Sequence, residues 1–449
     1  MEYPIPDGAK TILSQLANQG FEAWLVGGCV RDLLRGVEPQ DWDICTSALP
    51  QETKACFAHC HLIETGLKHG TVTVRIGHCS YEVTTYRSDG PYSDGRRPDS
   101  VAFVPNLEED LARRDFTVNA MAMDLEGQVM DPFGGRADLQ AGLIRCVGQP
   151  ARRFQEDGLR LMRALRFSST LNFPIEPATA AAILETLPML DHVAAERIQV
   201  ELRKLIIGPR RSQVLREFPQ VLCRFWPQLE PLVTLEQNNP WHCYGGWEHT
   251  LHALNAAPAD EIVCLTVFLH DIGKPPCKTT DEQGIDHFYG HPAVSAQLAD
   301  EMLRSLKFDN ATRERVVTLV EHHDAPVHMT EKSIRRWLGR LGEEAFFQLL
   351  EVKRCDNSGQ DYTLVKDRLA ANEELQKMAR AVIAQGQCFS LKDLAVSGQD
   401  VLDTGLPAGP LVGQALTKLL DQVVNGTLPN DRDILLQTLT EMIRKEEEI

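Results

Sequence analysis

The sequence predicts an α+β protein, with a sheet-containing N-terminal third followed by helices to the end of the chain. Three observations carry this. Residues 1–150 alternate helical stretches with short runs rich in Val, Thr, Ile and aromatics: AWLVGG, DWDIC, TVTVRI, YEVTTY and SVAFV. From Gln155 to about Ile207, EDGLRLMRALRF and AAERIQVELRKLII place apolar residues three and four apart, the period of a helix. A Pro- and Asn-rich break at Gln237–Pro240 then opens a histidine-rich helical region, and a helical tail interrupted by GLPAGPLVG ends in KEEEI. The expected divisions are 1–150, 151–240, 241–360 and 361–449.

Composition excludes several classes. Of 449 residues, 43% are hydrophobic and 24% charged, which is ordinary for a globular protein. No apolar run approaches the ~18 residues of a membrane span, and the N-terminus MEYPIPDGAK has no signal-peptide pattern. The twelve Cys contain no CxxC pair, Cys56 and Cys60 coming nearest, so reduced thiols in a cytoplasmic protein are expected. A net charge of −17 excludes a general basic coat for nucleic acid; any RNA must meet a local basic face.

Taken in order, Leu25-Val26-Gly27-Gly28 followed by Cys29-Val30-Arg31-Asp32 reads as strand, glycine turn and helix. Backbone amides at such a turn can approach a phosphate, and Arg31 can add a charged contact. Asp41-Trp42-Asp43-Ile44 is expected on a strand, where residues i and i+2 share a face. Two carboxylates on one face suit the Mg²⁺ ions that phosphoryl transfer uses. Glu82, on another expected strand, is either a third carboxylate of this group or a solvent-facing residue. In Arg113–Ala120, Asp115 and Asn119 are candidate ribose contacts and Arg114 a candidate phosphate or base contact. A 2′-hydroxyl both donates and accepts, so Asp or Asn beside it can separate NTP from dNTP.

Glu156-Asp157-Gly158-Leu159-Arg160 places Asp157 and Arg160 three apart, side by side on the expected helix. A carboxylate accepts from the exocyclic amino group of cytosine or adenine, and a guanidinium donates to the neighbouring ring nitrogen. Uracil and guanine reverse that order and leave buried polar groups unpaired, at about 1–3 kcal/mol each. One Asp–Arg pair therefore admits CTP and ATP and refuses UTP and GTP. Arg163 and Arg166 continue the spacing, and with Arg152, Arg153, Arg203, Lys204, Arg210 and Arg211 make this region the most basic part of the chain. That face is the candidate site for triphosphate and RNA phosphates.

LVGGCVRDLLRG, DWDI, RRDFTVNAMAMD, DPFGGRADLQAGLIRCVG and EDGLRLMRALRF occur in that order across roughly residues 15–210. The ordered set closely resembles the class II tRNA nucleotidyltransferases, or CCA-adding enzymes, of the superfamily that includes bacterial poly(A) polymerases. The resemblance implies a palm-like catalytic head holding Mg²⁺, a helical neck, and a helical body and tail that hold tRNA. CTP and ATP would be the nucleotide partners. It also implies that Ser88–Asp99, a Gly-, Pro- and charge-rich loop, switches addition from C to A. Neither a membrane nor a protein partner is expected. A poly(A) polymerase is the alternative within the class.

Nine of the fourteen His lie between His242 and His328. His270-Asp271 in FLHDIGKP can enter one metal site from a helix end, and imidazole with carboxylate suits Mn²⁺, Fe, Ni²⁺, Zn²⁺ or Mg²⁺. Residues 240–360 resemble the HD phosphohydrolase superfamily. The resemblance implies His249, His270, Asp271 and Asp356 as ligands of a divalent metal of unspecified identity. It leaves His291 and His322 for a second metal or a phosphate. Many CCA-adding enzymes lack this region, so a second alternative is an HD phosphohydrolase with an RNA-binding head.

Overall fold

Alternating apolar residues in the N-terminal third build a seven-stranded mixed sheet, seen in a computed structural model that describes residues 3–90, 101–239, 244–360, 362–385 and 389–447. Its strands are β1 (Ala23–Val26), β2 (Asp43–Thr46), β3 (His61–Ile63), β4 (Thr71–Ile76) and β5 (Cys79–Thr85), joined by β8 (Ala122–Met123) and β9 (Val129–Met130). Between these, β6 (Arg87–Asp89) and β7 (Val101–Phe103) form a separate ribbon. The order is β3-β4-β5-β2-β1-β8-β9. Every pairing in it is antiparallel except β2 with β5, which are parallel with Asp43 opposite Glu82. Leu25, Ile44, Val72, Val74 and Val83 pack beneath the N-terminal helix α1 (Asp7–Asn18), whose Ile12, Leu13 and Leu16 are fully buried or nearly so.

The chain divides into two compact units, residues 1–227 and 228–449. In the first, the sheet is followed by helices, among them α3 (Pro150–Glu156), α4 (Leu159–Leu171) and α5 (Ala195–Ile206); α2 (Gly28–Leu34) lies between β1 and β2. Two sequence expectations are corrected here. Asp41 lies in a bend ahead of β2, not on the strand with Asp43. The EDGLR segment is not one helix: α3 stops at Glu156, Asp157 is extended (φ −144°, ψ 108°), and α4 starts at Leu159. Glycine is called for at 158, where a Cβ would run into the Met189 carbonyl oxygen.

The second unit is helical apart from a hairpin of Thr279–Thr280 with Asp286–His287. Helices α6 (Gly246–Ala256), α7 (Glu261–Leu269), α8 (His291–Ser305), α9 (Asn310–His322) and α10 (Glu343–Ser358) surround the histidine cluster. Farther along, one apolar cluster is centred on Ile334, Phe346 and Leu375, and another on Val401, Leu419 and Leu435. Among the described residues, no helix is long and apolar enough to cross a membrane.

Candidate active site and a second cluster of ligands

The first unit contains a cavity of about 540 Å³ lined by these residues expected from the sequence, Glu82 not being among them: Gly27, Gly28, Arg31, Asp41, Asp43, Arg114, Asp115, Asn119, Asp157, Arg160, Arg163 and Arg166. Sequence reasoning missed Arg113, Leu159, Phe167 and Arg197, which line it too. Gly27, between β1 and α2, has φ +77°, and a Cβ there would sit 2.9 Å from a terminal nitrogen of Arg114. That conformation and that proximity both call for glycine. Arg31, on α2, pairs with Asp32 at 2.8 Å and donates to Asn119 Oδ1 at 2.7 Å.

Burial pushes the Asp43 carboxyl above its usual range; Arg114 pulls it back, and Glu82 and Asp41 push it up again. Carboxylates that repel one another in this way fit a divalent cation, which removes the repulsion. Glu82 itself is exposed. Asp115 is 7% exposed and takes two contacts from Arg163, at 2.6 and 2.7 Å. Burial opposes its charge, but the Arg163 guanidinium outweighs burial and holds Asp115 at about 2. Arg166 pairs with Glu201 at 2.7 Å and stands 3.5 Å over the Phe167 ring. The expected basic stripe is thus largely ion-paired: Arg153 and Arg160 share Glu156 at 2.7 Å, and Arg210 meets Glu217 at 2.7 Å.

At the helix break each member of the Asp157–Arg160 pair has a counter-ion of its own. Arg160, 8% exposed, is held by Glu156 and donates to the carbonyls of Arg153 and Arg113 at 3.1 Å. Asp157 accepts from both terminal nitrogens of Arg197, at 3.2 and 2.8 Å, and from the Leu159 amide at 3.0 Å. Of the loop expected to switch base choice, residues 91–99 lie outside the described residues.

In the second unit the helices bring His249, His270, Asp271, His291, His323 and Asp356 together. One group (His249, His270, Asp271) and another (Asp271, His291, His323) each have ligand atoms within 4.8 Å of one another and share Asp271. Asp271 Oδ2 lies 3.4 Å from His249 Nε2 and 3.3 Å from His270 Nε2; Oδ1 lies 3.3 Å from His291 Nε2 and 3.9 Å from His323 Nε2. Asp356 Oδ1 closes the first group, 3.0 Å from His249 and 3.6 Å from His270.

In all four rings Nδ1 faces a backbone carbonyl: Gly359 at 3.0 Å, Val267 at 2.7 Å, Phe288 at 2.9 Å and Val320 at 2.7 Å. A carbonyl only accepts, so each Nδ1 carries a proton, and a ring left neutral turns its Nε2 lone pair inward. Two such lone pairs, on His291 and His323, stand 3.2 Å apart, and only a proton or a cation between them relieves the contact. The buried Nε2 of His270 has no hydrogen bond among the described residues. The donor set fits divalent metal. Burial disfavours charge on His270, yet Asp271 and Asp356 outweigh it and raise the ring to about 10, while burial and His270 press His323 down to about 3. The cluster is short of positive charge.

The expectation for His322 is corrected: that ring packs against Trp337, 5.5 Å between centroids, and His323 takes the place at the cluster. Lys274, 2.7 Å from Asp271 Oδ2, was also missed. An adjacent cavity of about 330 Å³ is lined by Asp271, Lys274, Tyr289, His291, His323 and Asp356, among others.

Residues 23–145 match the family model described as Poly A polymerase head domain, and residues 279–439 match one for tRNA nucleotidyltransferase domain 2. The chain is 35% identical over 443 residues to the CCA-adding enzyme of Limosilactobacillus reuteri, covering 97% of each chain. It is 35% identical over 457 residues to that of Geobacillus stearothermophilus, covering 98% of each. Among solved structures it is similar to the Bacillus stearothermophilus CCA-adding enzyme in complex with CTP, with 32% identity, a TM-score of 0.72 and 98% of both chains covered. With the head cavity described above and this identity along nearly the whole length, the chain belongs to the class II CCA-adding enzymes.

Proposed function

We propose that this protein adds C, C and A to the 3′ end of tRNA from CTP and ATP, using Mg²⁺ at Asp41 and Asp43 and acting in the cytoplasm, where tRNA is its substrate. One observation carries the reading: a single cavity holds the glycine turn, the paired carboxylates and the Asp157–Arg160 pair. When bound at Asp41 and Asp43, the cation supplies charge that eases loss of the 3′-hydroxyl proton and departure of pyrophosphate. The protein's own groups do the rest. The Gly27 turn brings the backbone close, and the Gly28 amide with Arg31 and Arg114 holds the triphosphate, while Arg163 and Arg166 extend that positive surface. Asp115 and Asn119 meet the ribose; Asp157 accepts from the base amino group while Arg160 donates to the ring nitrogen. The CTP complex of the Bacillus stearothermophilus relative supports the same nucleotide here.

The test is a tRNA lacking its CCA end, incubated with Mg²⁺ and each NTP. Addition that stops after C, C and A supports the reading. Long A tails point instead to a poly(A) polymerase, and efficient UTP use would sink it.

A second reading is favoured by the inward lone pairs of the histidine cluster. We infer a divalent-metal site at His249, His270, Asp271 and Asp356, with His291 and His323 at its second half, that hydrolyses phosphate esters such as blocked RNA ends. A divalent metal held by these residues would supply the charge that activates water toward phosphorus near neutral pH. Asp271→Ala should remove metal-dependent phosphatase or phosphodiesterase turnover and leave CTP and ATP addition intact. Purified protein with neither metal nor turnover in Mg²⁺, Mn²⁺ or Ni²⁺ would mean the cluster is structural.

A further inference from the structure

We propose that Arg197 is a positioning residue for base selection, its two-point grip on Asp157 holding that carboxylate open to the incoming base. The inference rests on the reading of Asp157 and Arg160 as the base-selecting pair. Both terminal nitrogens of Arg197 meet both oxygens of Asp157, at 3.2 and 2.8 Å. A guanidinium fork of this kind fixes the plane of a carboxylate as well as its charge. Oδ1 also accepts from the Leu159 amide, so it is Oδ2 that keeps a lone pair for a base amino group. Both side chains are largely shielded, Asp157 at 15% and Arg197 at 28% exposure, and both line the nucleotide cavity.

The helix that carries Arg197 does not by itself favour a cation there. Asp157 caps the C-terminus of α3, and Arg197 stands in the first turn of α5. A helix dipole favours an anion where Arg197 stands, whereas Asp157 also accepts from the Leu159 amide at the start of α4, where an anion is favoured.

Without Arg197, the cations within reach of Asp157 are Arg160, three residues on, and Arg163, whose charge already feels Asp157. Asp157 then turns toward Arg160, and acceptor and donor satisfy each other in place of the base. Arg160 is protected from this on its own side by Glu156.

The test uses the full-length protein and a tRNA lacking its CCA end, with kcat and KM measured for each NTP in wild type, Arg197→Met, Arg197→Lys and Asp157→Asn. Thermal unfolding reports whether each variant is folded. For Arg197→Met we expect KM for CTP to rise about tenfold with kcat changed far less, and CTP-over-UTP preference to fall about ten- to a hundredfold. Arg197→Lys keeps the charge without the fork and should fall between; it also serves as the test if Arg197→Met does not fold. Wild-type preference in a folded Arg197→Met, or in Arg197→Lys if that alone folds, overturns the proposal, provided Asp157→Asn has lost preference. If Asp157→Asn also keeps it, the base-selecting pair itself is wrong, and this proposal falls with it.

Discussion

Replacing Arg160 by Ala separates a structural cost from a selective one. Arg160 is 8% exposed, so its interactions count at the scale of buried groups, not at the ~0–1 kcal/mol of surface ion pairs. Removing it takes a donor from the carbonyls of Arg153 and Arg113 and leaves Glu156 with Arg153 and Arg152. Two carbonyls losing a donor predict a loss of stability of about 1–3 kcal/mol. The selective effect has two parts. CTP and ATP lose a hydrogen bond to the ring nitrogen, about 1–3 kcal/mol, and UTP and GTP are relieved of a donor-against-donor contact of similar size. The CTP-over-UTP preference should shrink by their sum, about 2–6 kcal/mol, or at least ~30-fold and up to the full wild-type preference. Single-nucleotide addition to tRNA ending before its CCA, with kcat/KM for each NTP, measures it; urea unfolding measures the structural part. A variant that is destabilised as expected yet keeps its CTP-over-UTP ratio within about threefold of wild type would refute the role given to Arg160.

Asp41→Ala and Asp43→Asn should each abolish nucleotide addition while tRNA affinity, read by filter binding, stays within about threefold, because phosphate contacts and carboxylates are separate groups. The Asp115 carboxyl titrates at about 2 in the folded chain against 3.8 as the reference, a gap worth about 2 kcal/mol. Because the folded value is the lower, that stability is present above about pH 4 and lost as pH falls toward 2. Asp115→Asn should remove this acid-limb dependence in urea unfolding between those values, whereas an unchanged limb would deny the Arg163 pairing. His323→Asn should weaken Mn²⁺ or Ni²⁺ binding at least tenfold by calorimetry and His322→Asn should leave it unchanged. Equal effects would return both histidines to the cluster.

The head site was legible because its parts are short contiguous stretches. A glycine turn, a D-x-D and a polar helix start each carry their chemistry within a few residues, so most of the expected residues line one cavity, Glu82 excepted. What escaped depends on packing between distant segments. Arg197 looks like any charged residue of an amphipathic helix until α5 is laid beside the α3–α4 break. The break itself was hidden, since the three- and four-residue apolar spacing continues through it and only the extended backbone at Asp157 reveals it. The basic stripe read as open positive surface because Glu201, Asp115 and Glu156 neutralise it across elements. His322 and His323 are neighbours, and the choice between them turns on where α9 ends and which ring faces Trp337. The sheet order, with a parallel β2–β5 pair inside an antiparallel arrangement, was likewise not written in any one strand.

The four inward-facing histidines are oriented by main-chain carbonyls, three of them only three residues earlier in the chain. Proteins that orient a ligating imidazole with a carboxylate side chain can lose that support by a single substitution. Here the support has no side chain to mutate. As long as α7 and α9 end where they do and α8 begins at His291, the rings keep their aim, whatever residues replace Val267, Phe288 or Val320. The cluster is therefore lost by replacing a ligand, by shifting a helix end, or by giving Gly359 a side chain, whose Cβ would lie 2.9 Å from His249 Nδ1.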